Sequence, residues 1–416
     1  MKNRQIISFI KDKSKRQQGR IIVLTGARQT GKSTLSKKCF DHYAYLSIED
    51  PVQRKSYAQL TAEQWSHLFP LAILDEIQKE PVLVESIKSV YDQFDDPRYV
   101  LLGSSQLLLL HKVKESLAGR CTIIELYPLV IPELLTGSWN DTVQPSFFQD
   151  FMQNKKQVKQ LVPLFTLDKN YAKKQKTFDF YLQYGGYPAI SAGNLPENER
   201  FDWLAGYIRT YMERDIRDLA SFRDLEPFVK LQRYLALHTA SLINYSSVAK
   251  ETGVTVPTVQ RYFRYLDLSY QVIILPPWYG NDLKKLVKMP KIHFMDIGVL
   301  QAVLQKRGGM TGSEFESAIV SEIYKQAKNC RLPVNFYHLR TADGREVDLL
   351  LETAGYFIAI EIKMTANVTE IDARALKGLQ EILTKPLLHS FVLSNDTRTK
   401  HFGDTITAVH AGAFLS

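Results

Sequence analysis

The sequence is poor in cysteine. Only three cysteines occur among 416 residues, and no two of them stand in a C-x-x-C pair. A disulfide framework or a zinc ribbon needs paired, closely spaced cysteines. We therefore expect Cys39, Cys121 and Cys330 to be reduced thiols, as is usual for a cytoplasmic protein.

Long apolar segments are missing as well. No run of about 18 apolar residues occurs, so the sequence predicts no membrane span. Residues 1–20 are polar and basic and lack the apolar segment of a secretory signal. The chain also contains no internal repeat and no low-complexity tract. Its length is enough for about two to four globular domains, which we expect to be cytoplasmic.

The charge balance leans to the basic side. The formal net charge is +9, while 45% of the residues are hydrophobic and 23% are charged. This mixture is ordinary for a globular protein. A basic excess is compatible with nucleic-acid contact, but it bears on partners and solubility rather than on the fold.

A glycine-rich loop near the N-terminus fits the pattern G-x-x-x-x-G-K-[ST]. It follows the apolar run Ile21–Leu24 and precedes a helix-like run, Leu35–Phe40, as the motif requires. Its glycines let backbone N–H groups surround a phosphate, and the following helix adds its positive dipole end. Lys32 would neutralise phosphate charge, and the Ser33 hydroxyl would bind Mg²⁺. The predicted nucleotide-binding residues are Gly26, Ala27, Arg28, Gln29, Thr30, Gly31, Lys32, Ser33 and Thr34.

A second motif follows about 40 residues later. Four apolar residues, Leu71–Leu74, lead directly to Asp75 and Glu76, which is the Walker B pattern. A buried parallel strand has such a continuous apolar run, and open α/β sheets bind ligands at the carboxyl ends of their strands. We expect Asp75 to hold Mg²⁺ and Glu76 to orient or deprotonate the attacking water.

Two further positions are candidates for contact with the γ-phosphate. An apolar strand ends at Ser104 and Ser105, and either hydroxyl is a candidate; the alternative is that the serine caps the next helix. Arg120 precedes another strand and would contact phosphate within or between subunits, or else form a surface salt bridge. Strands that alternate with helical patterns predict a mostly parallel sheet that ends near Pro128–Pro132.

The middle of the chain is predicted to be helical. Residues 133–225 include a charged helix, Tyr207–Leu219, on which Arg214 or Arg217 is either a trans-acting arginine or part of a salt-bridged face. Residues 226–290 predict a winged helix, in which two short helices precede a β-wing. Its second helix would contact either DNA or other protein domains through Thr258, Gln260, Arg261 and Arg264.

A second set of chemical groups lies near the C-terminus. An amphipathic helix that carries Glu316 and Glu322 precedes three strands; Asp348 stands on the second, and Glu361 and Lys363 stand on the third. This is the D…(D/E)-x-K arrangement of a metal-dependent nuclease, in which the carboxylates share a cation and the lysine activates water. Glu316 or Glu322 would complete the set. The alternative is that these charges merely cover a half-solvated sheet.

The order of these motifs resembles that of a widespread prokaryotic family of AAA-type ATPases with a PD-(D/E)xK nuclease-like C-terminal domain. The resemblance implies a site for ATP and Mg²⁺ at Gly26, Lys32, Ser33, Asp75 and Glu76, and a second Mg²⁺ or Mn²⁺ at Asp348, Glu361 and Lys363. No clear second sensor arginine follows the sheet, so hexamer-ring behaviour does not follow from it. The segments that carry the resemblance beyond the P-loop are Leu74–Lys79, Gly103–Ser105, Ser116–Arg120, Glu213–Ile216, Lys291–Asp296, Glu346–Asp348 and Glu361–Lys363.

These observations predict an α/β protein with four parts. They are a P-loop NTPase domain with a parallel sheet (1–132), a helical linker or lid (133–225), a winged helix (226–290) and a restriction-endonuclease-like α/β domain (291–416). The predicted function is ATP hydrolysis coupled to DNA binding or processing. The alternative is an ATP-dependent switch or scaffold whose nuclease-like domain is inactive and binds protein partners. The oligomeric state stays open, and no membrane partner is predicted.

Overall fold

The computed structural model describes residues 1–103, 116–191, 195–211, 216, 225–279, 289–341 and 344–416. Elements are numbered below in chain order over these residues. The chain forms two separate β-sheets that are joined by helices and by one two-stranded ribbon. Within the described residues, no helix is both long and apolar enough to cross a bilayer.

The N-terminal sheet has five strands, all parallel, in the order β2-β3-β4-β1-β5. The strands are β1 Ile21–Thr25, β2 Ala44–Ser47, β3 Leu71–Asp75, β4 Arg98–Leu102 and β5 Cys121–Glu125. Alternate residues of β1 enter two different apolar clusters: Val23 joins one and Leu24 the other. The sheet is therefore covered on both faces, and the predicted P-loop NTPase fold is confirmed.

Five helices accompany this sheet. They are α1 Ile7–Ser14, α2 Lys32–Cys39, α3 Pro51–Ala58, α4 Ala62–Leu68 and α5 Val82–Gln93. Local chemistry sets two of their starts. The Asp50 side chain accepts hydrogen bonds from Val52 N and Gln53 N at the start of α3, and Thr61 and Gln64 form a capping box at the start of α4.

The middle of the chain is helical, as predicted. Its described helices are α6 Ile131–Leu134, α7 Phe147–Met152, α8 Tyr171–Tyr184, α9 Pro188–Ser191, α10 Glu197–Thr210, α11 Glu226–Leu237, α12 Tyr245–Thr252 and α13 Val256–Leu268. Gly253 ends α12 in the left-handed region with φ 71°, which is the conformation that favours glycine at a helix end. The sharp turn before α13 makes the α12–α13 pair a helix–turn–helix.

A two-stranded antiparallel ribbon follows this helix pair. Its strands are β6 Val272–Leu275 and β7 Lys291–Phe294. The predicted domain boundary at residues 290 and 291 therefore lies between two strands that are hydrogen-bonded to each other. Whichever boundary is drawn, the helix pair and the C-terminal part are joined through this ribbon.

The C-terminal part contains a six-stranded mixed sheet in the order β12-β13-β11-β10-β9-β8. Strands β8, β9 and β10 form an antiparallel meander, whereas β10, β11 and β13 are parallel neighbours. The elements are α14 Ile297–Leu304, α15 Gly312–Asn329, β8 Asn335–Arg340, β9 Glu346–Glu352, β10 Phe357–Lys363, β11 Leu387–Ser394, β12 Lys400–His401, β13 Ile406–His410 and α16 Ala411–Leu415.

One hydrophobic core runs through the middle helices and one face of this sheet. The ring centres of Phe151 on α7 and Phe391 on β11 are 5.3 Å apart. Those of Phe391 and Phe414 on α16 are 4.7 Å apart. The same core includes Phe315 and Ile319 of α15. Because the core is shared, the middle helices and the C-terminal sheet bury their apolar faces against each other.

His410 supplies a test of this core by pH. Its Nδ1 accepts a hydrogen bond from Gly412 N at 3.0 Å, and its ring stacks on Phe165 at 4.6 Å. Burial lowers the pKa of His410 to about 4, and the nearby Asp396 opposes this only in part. Between pH 6.5 and about 4 the unfolded chain therefore takes up a proton that the folded chain does not, so stability is full above pH 6.5 and falls as the pH falls.

We expect His410→Asn, which keeps an acceptor for Gly412 N, to have a shallower pH dependence than the native protein. Over the pH range 6.5 to 5, the free energy of unfolding of the native protein should fall more than that of the variant, by roughly 2 kcal/mol. Urea denaturation at several pH values measures this difference. Parallel profiles for the two proteins would contradict a neutral buried His410.

Candidate functional site

The loop between β1 and α2 has a backbone that only glycine tolerates at two positions. Gly26 has φ 143° and Gly31 has φ 93°. A Cβ atom on Gly26 would lie 2.1 Å from the carbonyl oxygen of Leu126, which is too close for any real contact. Gly26 is thus required by the close approach of Leu126, which follows the neighbouring strand β5, and Gly31 by the turn into α2.

Lys32 begins α2 and turns back over the loop. Its Nζ donates to the carbonyl oxygens of Gly26 at 2.9 Å and Ala27 at 2.8 Å. The Thr30 hydroxyl also donates to Ala27 O, at 2.9 Å. These bonds place a buried ammonium group beside the N-terminus of α2, where both the charge and the helix dipole favour an anion.

The end of β3 brings three oxygen atoms together. Asp75 Oδ2 accepts hydrogen bonds from Ser33 Oγ at 2.5 Å and from the Tyr45 hydroxyl at 2.6 Å. Burial and, after it, the hydrogen bond to Asp75 raise the pKa of Tyr45. A serine hydroxyl next to a carboxylate at a phosphate loop fits Mg²⁺, which prefers such oxygen ligands and usually keeps several waters. Tyr45 was not among the predicted residues; its position on the strand beside β3 was the only signal in the sequence.

Glu76 follows in a strained conformation. Its φ of 59° is left-handed, which is uncommon for a residue other than glycine. Its Oε2 accepts a hydrogen bond from Gln78 Nε2 at 2.5 Å, and its backbone N–H donates to Asp75 Oδ1 at 3.0 Å. The turn therefore directs Glu76 away from the strand and into the cavity next to the loop.

That cavity has a volume of about 750 Å³, which is in the range of nucleotide and cofactor sites. One wall is the loop, residues 28–35, together with Glu76. The opposite wall comes from the N-terminus and from the middle helices, through Met1, Lys2, Arg4, Pro188, Ala189, Ser191 and Thr210. The site is thus shared between the N-terminal sheet and the helical middle of the chain.

Arg4 ties the N-terminal segment to this site. Its buried guanidinium pairs with Glu133 at 3.3 Å and donates to the carbonyl oxygens of Thr30 and Tyr127. Burial lowers the pKa of Arg4 and raises that of Glu133. Neither residue was singled out from the sequence, because an isolated arginine in a basic N-terminal segment carries no motif.

Several predicted residues lie elsewhere or outside the described residues. Ser104, Ser105, Arg214 and Arg217 fall outside them. Arg120 pairs with Asp92 through Nε at 2.6 Å on the protein surface. Arg120 precedes the first residue of β5, so it lies at the amino ends of the parallel strands. The loop lies at their carboxyl ends, about 15 Å away. Contact with phosphate in the same chain is therefore wrong for Arg120; contact between subunits stays a prediction.

A buried cluster of charges occupies the C-terminal sheet. Asp348 on β9, Glu316 on α15 and Glu346 on β9 all contact one ammonium group, that of Lys291 on β7. The distances to Lys291 Nζ are 3.2 Å, 3.0 Å and 2.5 Å. Lys291 is 2% exposed. It was not among the predicted residues, because nothing in the sequence relates it to residues that lie 25 to 57 positions later in the chain.

Glu361 and Lys363 complete the cluster on β10. Lys363 Nζ lies 2.6 Å from Glu361 Oε1. Burial and the charge of Asp348 raise the pKa of Glu361 to about 7 and that of Glu316 to about 8. Glu316, Asp348, Glu361 and Lys363 are thus brought together as predicted.

Of the two alternatives on α15, Glu316 lies in this cluster and Glu322 does not. Its Oε1 accepts hydrogen bonds from Ile131 N at 2.6 Å and from Gln326 Nε2 at 2.9 Å, and its Oε2 lies 3.4 Å from Lys325 Nζ. Six residues separate Glu316 from Glu322, so their side chains leave α15 about 120° apart. Glu322 instead satisfies the start of α6.

The cluster does not fit a second metal ion. One oxygen of Asp348 contacts Lys291, and the other accepts a hydrogen bond from Ile362 N at 2.9 Å. Among the described residues, no group of three histidine, cysteine, aspartate or glutamate side chains is arranged to hold a metal. The ammonium group of Lys291 stands where the prediction placed a cation.

One polar and one apolar contact join the region of the nucleotide loop to the region of the ribbon. The hydroxyl groups of Thr25 and Tyr270 are 2.9 Å apart, immediately before Gly26 on one side and β6 on the other. Ala27 of the loop lies in the same small apolar cluster as Met295, which follows β7. The loop is therefore in direct contact with the ends of the strands, one of which carries Lys291.

Comparison with known families gives three matches along the chain. Residues 18–135 match an AAA domain. Residues 175–308 match a domain of unknown function (DUF8612), and residues 311–414 match another (DUF4143). The match to the AAA domain covers the loop, the end of β3 and the whole five-stranded sheet.

Similar proteins occur in bacteria and archaea. An uncharacterized protein of Mycobacterium tuberculosis is 26% identical over 411 residues, which is 95% of this chain and 81% of that protein. An uncharacterized protein of Mycobacterium bovis matches equally. One of Methanocaldococcus jannaschii is 23% identical over 295 residues, 67% of this chain and 60% of the relative.

Among solved structures, a Walker-type ATPase of Pyrococcus abyssi overlaps 72% of this chain and 95% of its own. The overlap has 14% identity and a TM-score of 0.46. A signal-transduction ATPase of Pyrococcus horikoshii with a tetratricopeptide repeat sensor overlaps 77% of this chain and 47% of its own, with 12% identity and a TM-score of 0.27. Residues 18–135 of this chain are thus similar to an AAA domain, and the loop between β1 and α2 has the backbone of a P-loop.

Proposed function

We propose that the protein binds ATP with Mg²⁺ and hydrolyses it. The observation that carries this proposal is that Lys32, Ser33 and Glu76 line one nucleotide-sized cavity, while Asp75 accepts a hydrogen bond from Ser33. Lys32 and the N-terminus of α2 stabilise the negative charge of the β- and γ-phosphates. Ser33 and Asp75 hold Mg²⁺, which when bound neutralises the charge that develops on the phosphate oxygens.

In this proposal, Glu76 acts on the attacking water. Its left-handed turn directs the carboxylate into the cavity rather than along β3. There it accepts a proton from a water that attacks the γ-phosphorus in line with the leaving oxygen, and ADP and phosphate result. Phosphate release from ATP tests the proposal. It should occur with Mg²⁺ and stop with excess EDTA; no release by folded protein under any of these conditions would refute it.

We further propose that ATP turnover is coupled to DNA binding through the α12–α13 helix pair. Gln260, Arg261 and Arg264 are exposed on α13, whereas the opposite face of that helix packs into the core through Val259 and Phe263. An exposed second helix with two arginines suits a DNA groove or backbone. The net charge of +9 favours the same partner.

Arg261→Ala and Arg264→Ala should each weaken binding to duplex DNA. Loss of one arginine contact raises the Kd by about 5- to 100-fold and, where the contact is to phosphate, reduces the salt dependence by about one ion. Fluorescence anisotropy at several salt concentrations measures both effects. Arg398→Ala, which removes the same charge from an exposed site in the C-terminal part, is the control. Equal affinities for all three variants and the native protein would exclude α13 as the DNA contact.

The alternative proposal is an ATP-dependent switch that acts on a protein partner. The observation that favours it is the contact between Thr25, which precedes the P-loop, and Tyr270, which precedes the β6–β7 ribbon. A change at the loop on nucleotide binding would be passed to the ribbon and to the C-terminal sheet. The meander β8–β9–β10, preceded by α15 and followed by the parallel strand β11, supports a restriction-endonuclease-like fold. In a switch, this domain would bind the protein partner and would not cut.

A further inference from the structure

We propose that the ammonium group of Lys291 is the resident cation of the C-terminal carboxylate cluster, and that it keeps divalent metal ions out of this site. The proposal concerns the C-terminal part alone and does not depend on ATP hydrolysis. It changes what this domain is for, because a D…(D/E)-x-K arrangement whose cation is a lysine of the same chain has no metal with which to cleave phosphodiesters.

The position of Lys291 is set by the ribbon rather than by the sheet that holds the acids. Strand β7 pairs with β6, and Lys291 lies opposite Leu275. A further bridge to Leu242 holds the same residue on its other side. The backbone of Lys291 is thus held on both sides, and its side chain is 2% exposed, so the ammonium group lies in the interior beside the acids.

At least one oxygen of each carboxylate in the cluster is already engaged. Lys291 Nζ contacts one carboxylate oxygen each of Glu316, Glu346 and Asp348. The second oxygen of Asp348 accepts a hydrogen bond from Ile362 N. On Glu361, Oε1 lies 2.6 Å from Lys363; Oε2 is buried without a hydrogen-bond partner among the described residues. A hard divalent cation needs about six oxygen ligands, and the oxygens that already bind Lys291, Lys363 and Ile362 N are not available to it.

The charges lead to the same result. A divalent ion placed among Asp348, Glu316 and Glu361 would lie within a few ångströms of Lys291 in a region with little solvent. Like charges at that distance repel strongly where the effective dielectric constant is low. Conversely, removal of the ammonium group would leave Glu316 and Asp348 buried without their ion-pair partner, which is costly unless another cation enters.

The test measures Mn²⁺ binding to the 416-residue chain. The electron paramagnetic resonance signal of free Mn²⁺ reports how much of the ion stays unbound. Asp75→Asn is included in every sample, so that the P-loop does not contribute. The protein with native Lys291 should bind no Mn²⁺ in the C-terminal part. Lys291→Ala should bind one Mn²⁺ ion per chain, and a further Asp348→Asn should abolish this binding.

Thermal unfolding supplies a second measurement. Lys291→Ala should lower the Tm, and Mn²⁺ should restore part of the loss because it binds the folded form. The matched control is Lys306→Ala. Lys306 pairs at 2.8 Å with Glu314, which lies at the start of α15, the helix that carries Glu316. Mn²⁺ should not raise the Tm of this variant. Lys291→Arg keeps a cation in place and should remain without Mn²⁺.

Two results would overturn the proposal. One is stoichiometric Mn²⁺ binding by the chain with native Lys291 that Asp348→Asn removes. The other is a folded Lys291→Ala protein, as judged by circular dichroism, that binds no Mn²⁺. If Lys291→Ala does not fold, the first comparison decides alone, since it uses the native lysine.

Discussion

Glu76→Gln should bind ATP with the affinity of the native protein and hydrolyse it about 10²–10⁴-fold more slowly. Glutamine has the shape of glutamate and can still bond to Gln78, so the turn after β3 should be kept. What it lacks is the ability to take a proton from the attacking water. The measurement is kcat for phosphate release, with the Kd for ATP determined separately by calorimetry.

The control for this prediction is Glu80→Gln. Glu80 lies four residues further along the chain, and its carboxylate faces Arg54 at 3.8 Å rather than the cavity. It receives the same chemical change and should keep kcat within about twofold of native, as is usual for an isolated surface pair. If both variants turn over ATP at the native rate, Glu76 has no part in the chemistry.

Lys32→Ala should lose most of its affinity for ATP. The Lys32 ammonium is buried beside the N-terminus of α2, and the loss of a charge-assisted contact to phosphate costs about 2–3 kcal/mol, or roughly a 30- to 150-fold increase in Kd. Because Lys32 also donates to Gly26 and Ala27 of the loop, the variant should in addition be less stable. Titration calorimetry measures the first effect and a melting curve the second.

Lys38→Ala separates these effects from a general loss of charge on α2. Lys38 is exposed on the same helix, and its ammonium lies 5.4 Å from the centre of the Trp139 ring. Its removal should leave the affinity for ATP unchanged. An equal weakening by Lys32→Ala and Lys38→Ala would mean that the loop attracts the nucleotide through its overall potential only.

The elements that could be predicted are those with a strong local pattern. Four consecutive apolar residues at Ile21–Leu24 and at Leu71–Leu74 suit only a strand buried on both sides, and both are central strands of the sheet. The P-loop was equally clear, because its glycines are demanded by backbone geometry that no other residue meets. In the C-terminal part, period-two alternation placed Asp348, Glu361 and Lys363 on neighbouring strands.

The misses have a common physical cause. Whether Glu316 or Glu322 faces Asp348 depends on how α15 is rotated against the sheet, and that rotation is set by packing across the whole core. Whether Arg120 reaches a phosphate depends on whether it lies at the amino or the carboxyl ends of the strands. Neither is encoded within a few residues, so local pattern could only offer alternatives.

The amino-acid order alone was enough to predict a phosphate loop followed by the aspartate and glutamate of a Walker B pattern, since each of these depends on adjacent residues. Folding in three dimensions decided the rest. It placed Tyr45 on Asp75, closed the cavity with the N-terminus and the middle helices, and brought Lys291 into the carboxylate cluster. These contacts join residues distant in sequence, and only the packing of the ribbon and helices against the two sheets brings them together.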